Sequence, residues 1–287
     1  MLRALIRLAV VKLAVCAGVA GVLIIAADKR FRRLVEADRR RLLAAARPDH
    51  PPVVTEEMLA GLPEPAQRYL RYAGVVGRPM VDTVRIRQAC RMRPAPGGRS
   101  FPLVAEQWYR VEPPGFIWDA TVPVGRIPVV RGRDGYLEGR GMMTIKAGSL
   151  IPFVDASGPE MDQASLTRHL SEMSWFPSAF LRERVTWEAI DETNVRVSIT
   201  DGDLRATGVL EIDAEGRLVT FRSERHAMVG KAFELRPWSA PTYAYGEFEG
   251  LRLPVRGAAV WTLPNGTELP YIEAELTDVE YDPPLPA

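Results

Sequence analysis

The sequence predicts a mainly β (α+β) protein: a large curled antiparallel sheet or half-barrel covered by a few helices, behind an N-terminal transmembrane helix. Three observations lead there. From Val81 onward, apolar residues recur with a period of two in about a dozen short runs. Turn chemistry joins these runs, with no βαβ alternation, so the strands follow one another as a meander. One helical stretch, 160–176, interrupts them, and one long apolar run, Leu8 to Ala27, opens the chain.

The apolar run, "LAVVKLAVCAGVAGVLIIAA", is interrupted only by Lys12, near one end, where a long stem can reach the headgroups. At 1.5 Å per residue it spans roughly 30 Å, a bilayer core. The competing reading is a cleaved signal peptide ending at Ile25-Ala26-Ala27. The block that follows, Asp28-Lys29-Arg30-Phe31-Arg32-Arg33, opposes export and favours an uncleaved single-pass anchor in the cell membrane. The same basic flank favours a cytoplasmic body. Cys16 and Cys90 imply no disulfide framework.

With 287 residues, 47% hydrophobic and 25% charged, the chain can bury one sizeable core. Its net charge of +1 conceals an uneven distribution. Residues 1–47 hold eleven Lys or Arg against Asp28, Glu36 and Asp38, which leaves the rest of the chain mildly acidic. Such a body has no footprint for nucleic acid. The organisation that follows is an anchor and basic amphipathic stalk at 1–48, a linker with short helices at 49–80, and the half-barrel at 81–287.

The stalk "FRRLVEADRRRLLAAA" places Phe31, Leu34, Val35 and Leu42 near helical spacing, as for a basic helix at an anionic membrane surface through residues 29–47. "RPDHPPVV" breaks it. "TEEMLAGL" begins with Thr55 as N-cap, and "EPAQRYLRYAG" ends at Gly74. In "VDTVRIRQACRMR", Val84, Ile86, Gln88 and Cys90 face a core while Arg85, Arg87, Arg91 and Arg93 face solvent. Later runs are separated by Pro113-Pro114-Gly115, by Asp134-Gly135 as a hairpin turn, and by Glu249-Gly250 and Asn265-Gly266. A meander this large must curl, and its helix then covers the concave face.

Catalytic signatures are missing from the sequence. His50, His169 and His226 are dispersed, with no H-E-x-x-H, no paired C-x-x-C and no G-x-S-x-G, so neither a metal nor a cofactor is expected. The stretch "VDASGPEMDQASLTRHLSEMSWFP" crowds Asp155, Glu160, Asp162, His169 and Glu172. Ser157 and Glu160 match a capping box, Asp162 with Ser165 a second cap, and Leu166, Leu170 and Met173 an apolar stripe. His169 and Glu172 lie within reach of each other on the helix. Caps and stripe account for most of the stretch and leave Asp155 and His169 over; the alternative is an acid–base enzyme using Asp155, Glu160 or His169 on a hydrophobic substrate. The aromatic alternative is a pocket: Trp108, Trp118, Met143, His169, Met173, Trp175 and Phe176 are its candidate lining. Any single tryptophan among them is better explained as filling the core of a broad sheet.

Four motifs, "RYLRYAGVVGRP", "AEQWYRVEPPGFIWDA", "DASGPEMDQASLTRHLSEMSWFPSAF" and "PWSAPTYAYGEFEGLRLPV…AVWTLPNG", resemble a bacterial family of unknown function over Pro65 to Asp282. The resemblance brings no catalytic residues. In shape, the meander with its inserted helix is similar to the lipoprotein-carrier (LolA/LolB-like) half-barrel. That likeness implies acyl-chain binding inside an incomplete barrel on the extracytoplasmic side, whereas the basic flank favours the cytoplasmic side. The expectation is a membrane-anchored protein that binds a membrane lipid or another hydrophobic molecule without catalysis. The alternatives are the enzyme above and a scaffold with an envelope protein partner.

Overall fold

The computed structural model describes residues 2–44, 51–125, 127–230 and 232–284, with side chains from Gly21 onward. Three helices come first: α1 (Leu2–Leu43), α2 (Glu56–Leu59) and α3 (Glu64–Ala73). Then follow β1 (Thr83–Met92), β2 (Phe101–Arg110), β3 (Gly115–Val124), β4 (Ile127–Leu137), β5 (Arg140–Ala147) and β6 (Ile151–Ser157). Helix α4 (Pro159–Glu172) and two short 3-10 turns lead to β7 (Val185–Ala189), β8 (Asn194–Asp201), β9 (Leu204–Ile212) and β10 (Leu218–Val229). The chain finishes with β11 (Ala232–Phe248), β12 (Leu251–Thr262) and β13 (Glu268–Tyr281).

All thirteen strands form one antiparallel sheet in the order β6-β5-β4-β3-β2-β1-β13-β12-β11-β10-β9-β8-β7. Every neighbour is also a sequence neighbour except β1 and β13, which join the two chain ends with Ile86 opposite Val279. The order is therefore that of a ring left open between β6 and β7, the two strands that α4 connects. Helix α4 spans this gap from inside. Asp162 Oδ1 accepts a 2.7 Å bond from the backbone N–H of Gly141 on β5, while Gln163 Nε2 donates to Arg205 O on β9 at 2.7 Å. Arg225 on β10 holds the carbonyl of Ala164 at 2.9 Å. A helix tied to strands on opposite arms of one sheet requires that sheet to curl around it. Nine of its fourteen residues are buried, so it is an internal plug, more enclosed than a surface cover.

Packing on the inner face follows the alternation of the strands. Tyr109, Phe116, Tyr136, Leu166, Leu170, Phe176, Phe180 and Phe221 form one continuous core with Tyr69 and Leu70 of α3. Gly74 ends α3 in the left-handed conformation at φ 81°, as its position predicts. On β1, Ile86, Gln88 and Cys90 are buried, and the arginines between them face outward toward acids, Arg85 to Asp278 at 3.1 Å and Arg87 to Glu106 at 3.3 Å.

Helix α1 covers part of the outer face. Phe31, Val35, Leu42 and Leu43 pack on Trp108, Ile117 and Leu137 of β2–β4. Arg133 pairs with Asp38, Arg41 with Glu138 at 2.7 Å, and Ser149 bonds Asp28 at 3.2 Å. The apolar stripe of the predicted stalk thus lies against the sheet, leaving Leu34 exposed. Among the described residues no helix is long and apolar enough to cross a membrane. Of the predicted span, the side chains up to Ala20 lie outside the described ones, as does His50.

Three local expectations are corrected. Asp134-Gly135 is no turn: β4 runs through it, and the hairpin turns at Glu138-Gly139, whose φ angles are 54° and 77°. Asp134 is buried there because it receives Arg168, which a solvent turn would not allow. The capping box does not form, because Ser157 stays in β6 opposite Met142 and Gly158 becomes an N-cap with no side-chain bond. The second cap is absent as well, since Asp162 turns to the β4–β5 hairpin.

Candidate ligand-binding site

The inner face is filled at one end and open at the other. A cavity of about 650 Å³ lies between α4 and the sheet, reaching the end marked by the loops 93–100, 229–233 and 263–269. Strand direction puts the β3–β4 and β5–β6 tips at that same end. The cavity falls within the range of small-molecule sites. Its walls are mostly apolar: Cys90, Trp118, Met143, Trp238 and Trp261, from strands all round the sheet, and Trp175 from the 3-10 turn after α4. Burial pushes the Cys90 thiol up to about 12, so this sulfur serves as wall and not as nucleophile.

Polar side chains interrupt the wall, and two arginines among them lie against aromatic rings. Arg168 of α4 donates to Asp134 at 2.6 Å, Glu172 at 2.7 Å and Gln107 at 3.1 Å. Glu172 in turn accepts from Gln107 at 2.9 Å and Tyr109 at 3.0 Å. The guanidinium lies 4.9 Å from the Phe116 ring and 5.3 Å from that of Trp118, whose Nε1 donates to Gln88 at 3.0 Å. This network pairs one buried cation with two carboxylates and two neutral groups, the arrangement that makes a buried ion cluster tolerable, although Asp134 Oδ1 is buried without a partner. The second group is Arg225, beside Trp238 and Trp261.

The residues singled out from sequence divide. Trp118, Met143 and Trp175 line the cavity, with Trp175 Nε1 fixed to Pro254 O at 3.0 Å. Met173 and Phe176 are buried in the core beside it. His169 is also core, its ring 5.9 Å from Phe176 and 6.5 Å from Phe116, and burial lowers its pKa to about 3. Trp108 is on the other side of the sheet, under Arg39 at 4.9 Å. It alternates with Gln107 and Tyr109, so a strand covered on both faces displays both sets.

Asp155 and Glu160 face solvent, Asp155 accepting only from Thr144 at 3.2 Å. With His169 buried, the three acid–base candidates share no cleft, and Glu172 answers Arg168 and not His169. Among the described residues no group of three His, Cys, Asp or Glu is placed to hold a metal ion. Trp238 and Trp261 join Trp118 and Trp175 in the wall, whereas Arg168 and Arg225 enter the site without having been singled out as lining residues. For Arg225 a signal existed: in "FRSERHA" the alternation puts it on the face of Phe221 and Ala227.

A model described as a family of unknown function, DUF6544, matches residues 52–274. No curated protein matches the chain. Among solved structures, a domain from Vibrio parahaemolyticus described as an outer membrane lipoprotein-sorting protein aligns with 11% identity and a TM-score of 0.38, over 71% of this chain and 87% of that one. A DUF1329 family protein from Desulfovibrio piger aligns with 10% identity and a TM-score of 0.42, over 78% and 92%. A β-barrel-like DUF1849 protein from Brucella abortus aligns with 9% identity and a TM-score of 0.23, over 70% and 98%.

Proposed function

The chain belongs to the DUF6544 family of unknown function, and we propose that it binds a lipid or another hydrophobic molecule in its cavity, at a membrane surface. The observation that carries this reading is the apolar cavity itself, open at one end of a sheet whose other end is packed solid. Burial of an alkyl chain there contributes about 0.8 kcal/mol per methylene.

The surroundings of the opening support a bilayer as the neighbour. Val124 and Ile127, then Ile151 and Phe153, stand exposed at the β3–β4 and β5–β6 tips, Ile151 by 68% and Phe153 by 60%. Helix α1 passes this end where Ser149 bonds Asp28, with Val22, Leu23 and Ile25 exposed just before it. In sequence the helix continues apolar back to Leu8. Lys29, Arg30 and Arg33, exposed at the level of the rim, would meet anionic headgroups at about 1 kcal/mol each. A single-pass anchor starting at Leu8 fits this arrangement: it would hold the cavity mouth against the lipid.

The test is native mass spectrometry of the full chain released from membranes of a lipid-containing host. Co-purifying lipid is expected, and Ala274→Trp, which fills the wall opposite Cys90, should remove it while the protein stays folded. A lipid-free wild type, or equal loading of the two proteins, overturns the reading.

A further inference from the structure

Three arginines are buried among the described residues, and two of them meet carboxylates: Arg110 faces Asp82 at 3.3 Å and Arg131 faces Asp119 at 3.0 Å. The third, Arg225, is 8% exposed and has no carboxylate within 4.0 Å among those residues. Its Nε donates to Ala164 O at 2.9 Å and its Nη1 to Tyr271 Oη at 3.2 Å. Its Nη2 donates to no described residue. The guanidinium carbon sits 5.1 Å from the Trp238 ring centre and 5.8 Å from that of Trp261, and all three side chains line the cavity. Trp238 Nε1 also points to Tyr271 Oη, at 3.3 Å.

A buried guanidinium is expensive to leave without a counter-charge. The aromatic faces and two neutral acceptors compensate it in part. They also hold it in one place, with its stem on β10 and its head on the α4 carbonyl. The cavity's own acids do not reach it: Asp134 and Glu172 are both engaged by Arg168. What completes the set is an anion entering with the ligand, for which a guanidinium fork is the best-matched receptor.

We propose that Arg225 is the headgroup site of the cavity and that the ligand is an amphiphile with an anionic head, a carboxylate or a phosphate ester. The head binds Nη1 and Nη2 between Trp238 and Trp261, and the alkyl chain runs along Trp118 and Met143. This rests on the proposed cavity function and names its ligand class. The rim arginines and lysines are a separate feature, since they lie outside the cavity and select lipids only at the surface.

The experiment uses the full chain in phosphatidylcholine nanodiscs doped with equal amounts of oleate, lysophosphatidylglycerol, lysophosphatidylcholine and monoolein. Bound lipids are counted by native mass spectrometry. Oleate, lysophosphatidylglycerol or both should exceed the uncharged and zwitterionic lipids by about tenfold, the worth of one charge-assisted hydrogen-bonded contact. Enrichment of oleate alone assigns a carboxylate head, and of lysophosphatidylglycerol alone a phosphate. Arg225→Met should abolish the preference and Arg225→Lys should keep part of it. The wild-type comparison needs no variant, so misfolding of Arg225→Met leaves the proposal testable. Equal binding of all four lipids overturns the headgroup site and leaves the cavity reading standing. An anionic preference that survives in a folded Arg225→Met also overturns it. Binding of none overturns both.

Discussion

Tyr136 donates a 2.8 Å hydrogen bond to Asp201 Oδ2 across the gap between the two arms of the open sheet. Tyr136 is on β4, third from one edge, and Asp201 is on β8, second from the other. A side-chain contact between strands so far apart in the order means that the two arms come within reach without pairing. Arg184 also approaches Asp201, at 3.3 Å.

Tyr136→Phe removes this bond and keeps the ring, which is fully buried. Asp201 keeps Arg184 and is not stranded, so the loss should be about 1 kcal/mol. For a body of this size that lowers Tm by about 2–4 °C. The informative readout is hydrogen exchange, which should rise at β4 and β8 and not at β1 or β13. A uniform rise would mean that the bond adds stability without closing the arms.

Much of this architecture can be read in the sequence, and the failures have physical causes. The alternation on β1, with Ile86 and Cys90 inward and Arg87 outward, follows from a sheet with one apolar face. Strand neighbours follow from short turns such as Glu249-Gly250. Asp134-Gly135 misleads because its turn chemistry is local, whereas Arg168, thirty-four residues on, decides where Asp134 sits. Trp108 misleads because alternation separates two faces without saying which face is inside, and α1 covers the outer one. The crowded acids of the α4 segment are explained late, since Asp162 serves β5 and Glu172 serves Arg168. Neither partnership has a sequence signature.

The Arg168 cluster should respond sharply to loss of its cation. Arg168→Met leaves Asp134 and Glu172 buried without their shared partner, and a loss of about 3–5 kcal/mol is expected. Arg168→Lys restores charge but not the fork that reaches Asp134, Glu172 and Gln107 together, so it should recover less than half of that. Urea midpoints check both. Near-complete rescue by lysine would reduce the network to simple charge neutralisation.

His169 makes stability depend on pH in a definite window. Burial lowers its folded pKa to about 3, while the unfolded imidazole titrates near 6.5. Between these values the unfolded chain carries the extra proton, so stability falls as pH drops below about 6.5 and the fall ends near the folded value. The contribution to the slope approaches about 1.4 kcal/mol per pH unit. His169→Leu should remove it. Comparing urea midpoints of the two proteins at pH 7 and pH 5 isolates the effect from the carboxylates, which both proteins share. The variant should gain on wild type at pH 5, and parallel behaviour would show that the imidazole charges without disturbing the core.

Gly141 and Gly139 share one hairpin and separate docking from turn strain. A methyl on Gly141 would come within 2.3 Å of Met161 O and 2.7 Å of Ser165 Oγ, where α4 rests on β5. Gly139 has open space but a φ of 77°. Gly139→Ala should therefore cost about 1–2 kcal/mol of backbone strain and leave α4 in place. Gly141→Ala should cost about 1–3 kcal/mol by forcing the helix off the strand, and with it the bond from Gly141 N to Asp162. Limited proteolysis distinguishes them, with faster cleavage around 157–162 in Gly141→Ala alone. If the two variants are cleaved alike, the helix is not seated on β5 by this glycine, and the gap between β6 and β7 must be held shut from the β9 side, through Gln163 and Arg205.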